Sequence, residues 1–204
     1  GGLVDPSRRE QWLERVRMTL AFNKAAAIPA TIVCTGNAVE GMADHEMMDS
    51  VIEGLKPTVA LAEKEGITLL LEPLNTRVDH PGYLVRSSAQ GADVCRALGP
   101  DRMKLLFDCY HMQIMEGDLV SHIGAAIDVI GHFHAAGVPG RNEVYKGEVN
   151  YPFLIEQIAA MGYMGTFALE YTPSIEPTES LRSSLAYLER ETAVFAEGEE
   201  QEQV

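Results

Sequence analysis

Helical patterns and short apolar runs alternate along the whole chain. Asp5-Pro6 makes a good helix start, with Asp as N-cap and Pro in the first turn. Trp12, Val16 and Leu20 then recur at four-residue spacing, which predicts a helix with one buried stripe. A strand is expected from Ala30 to Cys34, closed by Thr35-Gly36-Asn37. A second helix is expected from Asp44 to Lys64, with Met48, Val51, Ile52 and Leu55 on one face and Pro57 kinking or splitting it. Gly66 stops that helix, Ile67 to Glu72 reads as a buried strand, and a long loop runs through Asp79-His80-Pro81-Gly82. Helices are then expected near 87–98, 118–129, 152–161 and 178–196, and strands near 103–108, 130–136 and 165–171.

This is a βα repeat, which argues for an α/β fold with a parallel sheet. Five strands are expected, each with a helix, in 204 residues. A closed (β/α)8 barrel needs eight such units and typically ~250 residues. The pattern therefore fits an incomplete TIM-type barrel or an open sheet of fewer strands. No long linker divides it, so residues 1–196 read as one domain and 197–204 as an acidic, disordered tail.

The strand ends separate those two readings. Side chains alternate along a strand, so Thr68, Leu70 and Glu72 share a face, as do Leu106 and Asp108, His132 and His134, and Thr166, Ala168 and Glu170. Four successive strands each end in a metal-ligand residue type, at intervals of 36, 26 and 36 residues. Taken singly, each has an ordinary reading: Glu72 or Glu170 as a solvated loop residue, Asp108 as a turn cap, His134 as a core histidine. In a parallel barrel, however, strand C-termini converge on one mouth. Three carboxylates and an imidazole meeting there would repel one another unless a cation sat among them. Oxygen-rich ligation with one imidazole suits Mn²⁺ or Mg²⁺, and Co²⁺ or Zn²⁺ less well.

The segments around these residues are recognisable. Leu71-Glu72-Pro73-Leu74-Asn75, Phe107-Asp108-Cys109-Tyr110-His111-Met112-Gln113, Gly131-His132-Phe133-His134, Pro139-Gly140-Arg141, Gly147-Glu148-Val149-Asn150-Tyr151 and the run from Gly165 to Tyr171 resemble the hydroxypyruvate isomerase family of the xylose-isomerase-like barrels. The order and spacing fit from about residue 5 to 190. The resemblance implies a TIM barrel whose last four strands supply metal ligands, here Glu72, Asp108, His134 and Glu170, with the first three βα units lacking. It implies isomerisation of a small α-hydroxy carbonyl compound through an enediolate, as in hydroxypyruvate to tartronate semialdehyde, with Glu72 and Glu170 as acid and base. It also implies that His111 binds substrate oxygens. Arg141 could hold a carboxylate or hydroxyl by its planar fork, and His80 is a candidate on the neighbouring loop. Members of the hydroxypyruvate branch typically carry Gln where His134 stands, whereas ketose 3-epimerases and inosose dehydratases carry His, so those two reactions are alternatives. A non-catalytic barrel fragment is another.

Composition narrows the partners. The formal net charge of −14 with no basic patch argues against nucleic acid, and so against a DNA-repair endonuclease of related fold. No apolar run reaches the roughly 18 residues of a membrane span, and the N-terminus does not read as a signal peptide. Cys34, Cys95 and Cys109 are widely spaced and odd in number, and are expected to be buried free thiols in a reducing cytoplasm. His132 is expected in the core. The resemblance implies a small-molecule partner, a sugar or hydroxy-keto acid. Related barrels often form dimers or tetramers, so a homo-oligomer is a further expectation from the resemblance.

Overall fold

The computed structural model describes residues 2–199. Asp5 accepts from Ser7 N at 2.9 Å and opens a short 3-10 turn that leads into α1 (Arg9–Ala25). The remaining order is β1 (Ala30–Val33), α2 (Asp44–Glu65), β2 (Thr68–Leu71), α3 (Ser88–Leu98), β3 (Met103–Asp108), α4 (Cys109–Met115), α5 (Leu119–Ala126), β4 (Ile130–Ala135), α6 (Tyr151–Ala160), β5 (Thr166–Leu169) and α7 (Pro177–Glu199). Local signals account for many of the ends. Gly66 closes α2 at φ 70°, the Ser87 side chain caps α3 through Gln90 N, and Asn150 caps α6 ahead of Pro152. The acidic tail falls, from residue 200 on, outside the described residues.

The five strands pair in chain order, every neighbour parallel, as half of a barrel. The helices pack on one side of the sheet and follow the same order: α1 lies against α2, α2 against α3, α3 against α5, α5 against α6, and α6 against α7. The face beneath them is the core. Leu69, Leu71, Met103, Leu105, Phe107 and Phe133 are buried, and Phe107, Phe133 and Phe167 follow one another at ring separations of 5.8 Å. The other face is the barrel interior. Leu70 and Leu106 are buried there, but Ile32 on the edge strand is 44% exposed. Between the free side of β1 and α1 lies a cavity of about 290 Å³ lined by Trp12, Val16, Leu20, Ile32 and Leu69 among others.

Four expectations change. Pro57 does not split α2, which runs through it; the lost N–H removes one bond, while Val51, Leu55, Thr58 and Ala62 bury the helix on both sides of it. The stretch directly after Asp108, where no helix is expected, is helix α4, because Asp108 Oδ1 accepts from Tyr110 N and His111 N at 2.8 and 3.2 Å. Cys34 is exposed, since it follows the edge strand β1 on the open face; Cys95 and Cys109 are buried as expected. His132 is half-buried on the inner face, with Nδ1 2.7 Å from Thr166 Oγ1, rather than in the core.

One irregularity sets the faces of β4. Leu105 pairs with Ile130 and Leu106 with His132, so β4 advances two residues where β3 advances one. Gly131 is the residue passed over. A Cβ there would lie 2.6 Å from Lys104 Cβ. The bulge lets Ile130 face the helices while His132 and His134 face the interior. Gly131→Ala is expected to destabilise the protein by about 1–3 kcal/mol in urea denaturation, because β3 and β4 would have to part. An unchanged midpoint would show that the strands do not approach this closely.

Candidate metal centre

The four strand-end residues meet. One ligand atom from each of Glu72, Asp108, His134 and Glu170 can be chosen so that all lie within 4.8 Å of one another. The paired register explains why. Asp108 lies opposite His134 across β3 and β4, His134 lies opposite Ala168, and Glu170 follows β5 with its N–H bonded to Ala135 O. Glu72 follows β2 with its N–H bonded to Val33 O. The two glutamates therefore flank the cluster, with Asp108 and His134 on the strands between them. Glu72, Asp108 and His134 are buried, and the Glu170 side chain is 49% exposed.

Gathering these charges is costly. Burial, then the charges of Asp108 and Glu170, push the Glu72 carboxyl up to about 8. Burial also raises Asp108 to about 6, against the opposing pull of Arg141 and of the backbone N–H groups of His111 and Tyr110. Arg141 compensates in part. Its Nη2 lies 2.6 Å from Glu170 Oε2 and 3.4 Å from Asp108 Oδ2, and its guanidinium stacks 5.1 Å from the Tyr110 ring centre. His134 Nδ1 is 3.1 Å from the same Glu170 oxygen. With Asp108 Oδ1 committed to capping α4, Oδ2 is the oxygen left for the cluster. Three carboxylates and an imidazole form an oxygen-rich donor set that could hold a divalent metal ion.

His111 stands beside this group, fully buried, with Nε2 3.7 Å from Asp108 Oδ2. Its Nδ1 faces Asn75 N at 3.2 Å and Asn75 Nδ2 at 2.7 Å. Both are donors, so Nδ1 accepts and Nε2 carries the hydrogen. Burial, and then the Arg141 charge, lower its pKa to about 3, which keeps the ring neutral. Nε2 has no hydrogen-bond partner. His80 lies one layer out, its ring 5.5 Å from that of His111. Residues unremarked in the sequence complete the rim. Asn75 accepts from Val78 N and Asp79 N to fold the loop, and Asp79 Oδ2 accepts from Asn75 Nδ2 and the Tyr110 hydroxyl. Nothing but the Asn in Glu-Pro-Leu-Asn signalled this.

Residues 2–191 match a family described as the xylose isomerase-like TIM barrel. The chain belongs to that family. It is 40% identical over 139 residues to a 2-oxo-tetronate isomerase of Cupriavidus necator, covering 68% of this chain and 53% of that protein. It is 30% identical over 177 residues to a hydroxypyruvate isomerase of Escherichia coli, covering 87% of this chain and 68% of the relative. Among solved structures, an AP endonuclease, family 2, from Brucella melitensis superposes with a TM-score of 0.83 at 29% identity, over 89% of this chain and 69% of that one. The chain thus spans between about half and seven-tenths of the proteins it resembles.

The raised carboxyls predict an unusual pH profile. Below pH 4.5 Glu72 is protonated in both folded and unfolded chains; between 4.5 and about 8 unfolding releases its proton, so stability falls as pH rises. Asp108 adds to the same trend. In metal-free protein the urea midpoint should drop from pH 5 to pH 8, and Glu72→Gln should flatten the profile. A wild-type midpoint that is level across this range would contradict the packing of charge described for the cluster.

Proposed function

We propose that this protein is a metal-dependent isomerase of a small α-hydroxy carbonyl acid, with hydroxypyruvate to tartronate semialdehyde as the reaction. The observation that carries the reading is the four-residue cluster, one ligand from each of four consecutive strands, with a guanidinium and an unpartnered buried N–H at its edge. Relatives named hydroxypyruvate and 2-oxo-tetronate isomerase support it. Glu72, Asp108, His134 and Glu170 would hold the ion, for which Mn²⁺ or Mg²⁺ fits the donors. When bound, a divalent cation supplies Lewis-acid polarisation of the substrate carbonyl and adjacent hydroxyl. Reduced thiols at Cys34, Cys95 and Cys109 fit a cytoplasmic setting.

The chain's own residues supply the rest. In hydroxypyruvate a proton leaves C3, another is delivered to C2, and the hydroxyl proton passes from the C3 oxygen to the C2 oxygen. Glu72 and Glu170 flank the cluster, so one removes the first proton and the other delivers the second. Their surroundings differ in the way such a pair requires: Glu72 is buried, and Glu170 is half-exposed beside Arg141. His111 offers its Nε2–H to a substrate oxygen, and burial keeps it from becoming a cation that would compete with the metal. Arg141 presents a planar fork for the substrate carboxylate. The ketose 3-epimerase and inosose dehydratase readings share this machinery and are favoured by the His134 ligand. A nuclease reading, suggested by the Brucella neighbour, sits poorly with a net charge of −14 and a cluster holding a single histidine.

Glu170→Gln is expected to lower kcat by at least about 10²-fold while leaving the melting transition in place. Near-normal turnover by this variant would remove Glu170 from the chemistry. Wild-type protein loaded with Mn²⁺ and offered hydroxypyruvate, tagatose or fructose, and 2-keto-inositol in parallel should turn over hydroxypyruvate fastest. Preference for a ketohexose or for the inosose would hand the site to one of the alternatives.

A further inference from the structure

Arg141 and Glu170 meet at the centre, yet they come from different loops. Arg141 lies on the turn after β4, at φ 55°, and Glu170 lies past the end of β5. Sheet pairing stops before either side chain. Two hydrogen bonds join the two loops near the site: Thr172 N donates to Arg141 O at 2.8 Å, and the Asn142 side-chain Nδ2 donates to Thr172 O at 2.8 Å. Farther out, the join centres on one carboxylate. Glu143 is fully buried. Its oxygens accept from Ser174 N at 2.8 Å, Ser174 Oγ at 2.7 Å and Ser180 Oγ at 2.8 Å, and Lys146 Nζ lies 3.4 Å away. Each serine has its one hydroxyl proton committed to Glu143. Lys146 Nζ accordingly donates to Ser174 Oγ at 2.6 Å, and the Tyr171 hydroxyl donates to Ser180 Oγ at 2.8 Å. Burial opposes ionisation of Glu143, but the Ser174 and Ser180 hydrogen bonds outweigh it and hold its carboxyl below the usual range.

We propose that Glu143 is a positioning residue for the metal centre, its carboxylate clamping the segment after β5 to the loop after β4 so that Arg141 reaches Glu170. The inference rests on the function proposed above. Three donors converge on one carboxylate, and one of them is a backbone N–H that cannot turn away. An amide in its place has a single acceptor oxygen and turns an NH₂ group toward donors. Glu143→Gln therefore keeps the shape and breaks the clamp.

The test compares full chains of wild type, Glu143→Gln, Arg141→Ala and the double variant. Mn²⁺ affinity is followed through the paramagnetic resonance signal of the free ion, and hydrogen exchange is followed over residues 170–176. Glu143→Gln should weaken Mn²⁺ binding about tenfold, as loss of a group supporting metal ligands commonly does, and should speed exchange in that segment. Because the effect passes through the Arg141–Glu170 contact, it should shrink to less than about threefold in the Arg141→Ala background. An equal loss in both backgrounds would overturn the proposal, since a purely structural defect adds to the second change. If Glu143→Gln fails to fold, Ser180→Ala removes one donor only and should still weaken Mn²⁺ measurably; unchanged affinity and unchanged exchange would also overturn it. Wild-type protein that binds no Mn²⁺ would sink the proposed function instead, leaving the exchange of residues 170–176 to judge the clamp.

Discussion

Parallel pairing in a fixed register is the constraint on which everything else in this chain depends. Because side chains alternate along a strand, a slip of one residue between β3 and β4 would turn His134 toward the helices and leave Asp108 with only Glu72 beside it at the mouth. The bulge at Gly131 is where that register is set. It reconciles two demands that a regular strand could not meet: an apolar Ile130 under the helices and two histidines on the inner face. The outer layer reinforces the result, since Phe107 and Phe133 sit side by side on adjacent strands and can bury together only in this alignment.

Once the strand ends converge, electrostatics takes over. The same burial that stabilises the sheet raises the free energy of every carboxylate at its rim. The molecule answers for each carboxyl differently. Glu72 and Asp108 are pushed toward their neutral forms, Glu170 is given Arg141, and Glu143 is sheltered by three hydrogen bonds. A cation entering the cluster would exchange protons for its own charge, so ion binding and proton release are coupled at this site.

Much of this was legible in the sequence because it is periodic. Alternating βα patterns revealed the five strands, and one chelating residue type at each of four strand ends revealed Glu72, Asp108, His134 and Glu170. What stayed hidden depends on contacts between distant segments. Helix α4 starts without a break after β3 because Asp108 caps it, and an Asp at a strand end reads equally well as the start of a loop. Glu143 looks like a solvated loop residue until Ser174 and Ser180, more than thirty positions later, close over it. Cys34 resembles any apolar strand end, and only its place on an edge strand exposes it. Pro57 carries a strong local signal that tertiary burial overrides.

Asp108 serves two clients with its two oxygens. One nucleates the first turn of α4, and that turn carries Tyr110, under Arg141, and His111, beside the cluster. The other oxygen faces the cluster that could hold a metal ion. A glutamate could reach for an ion but is a poor helix cap at this position, and an asparagine could cap the helix but would surrender a charge. A change at Asp108 therefore alters the cluster and the turn carrying Tyr110 and His111 together, so an engineer retuning the candidate centre has freer hands at His134.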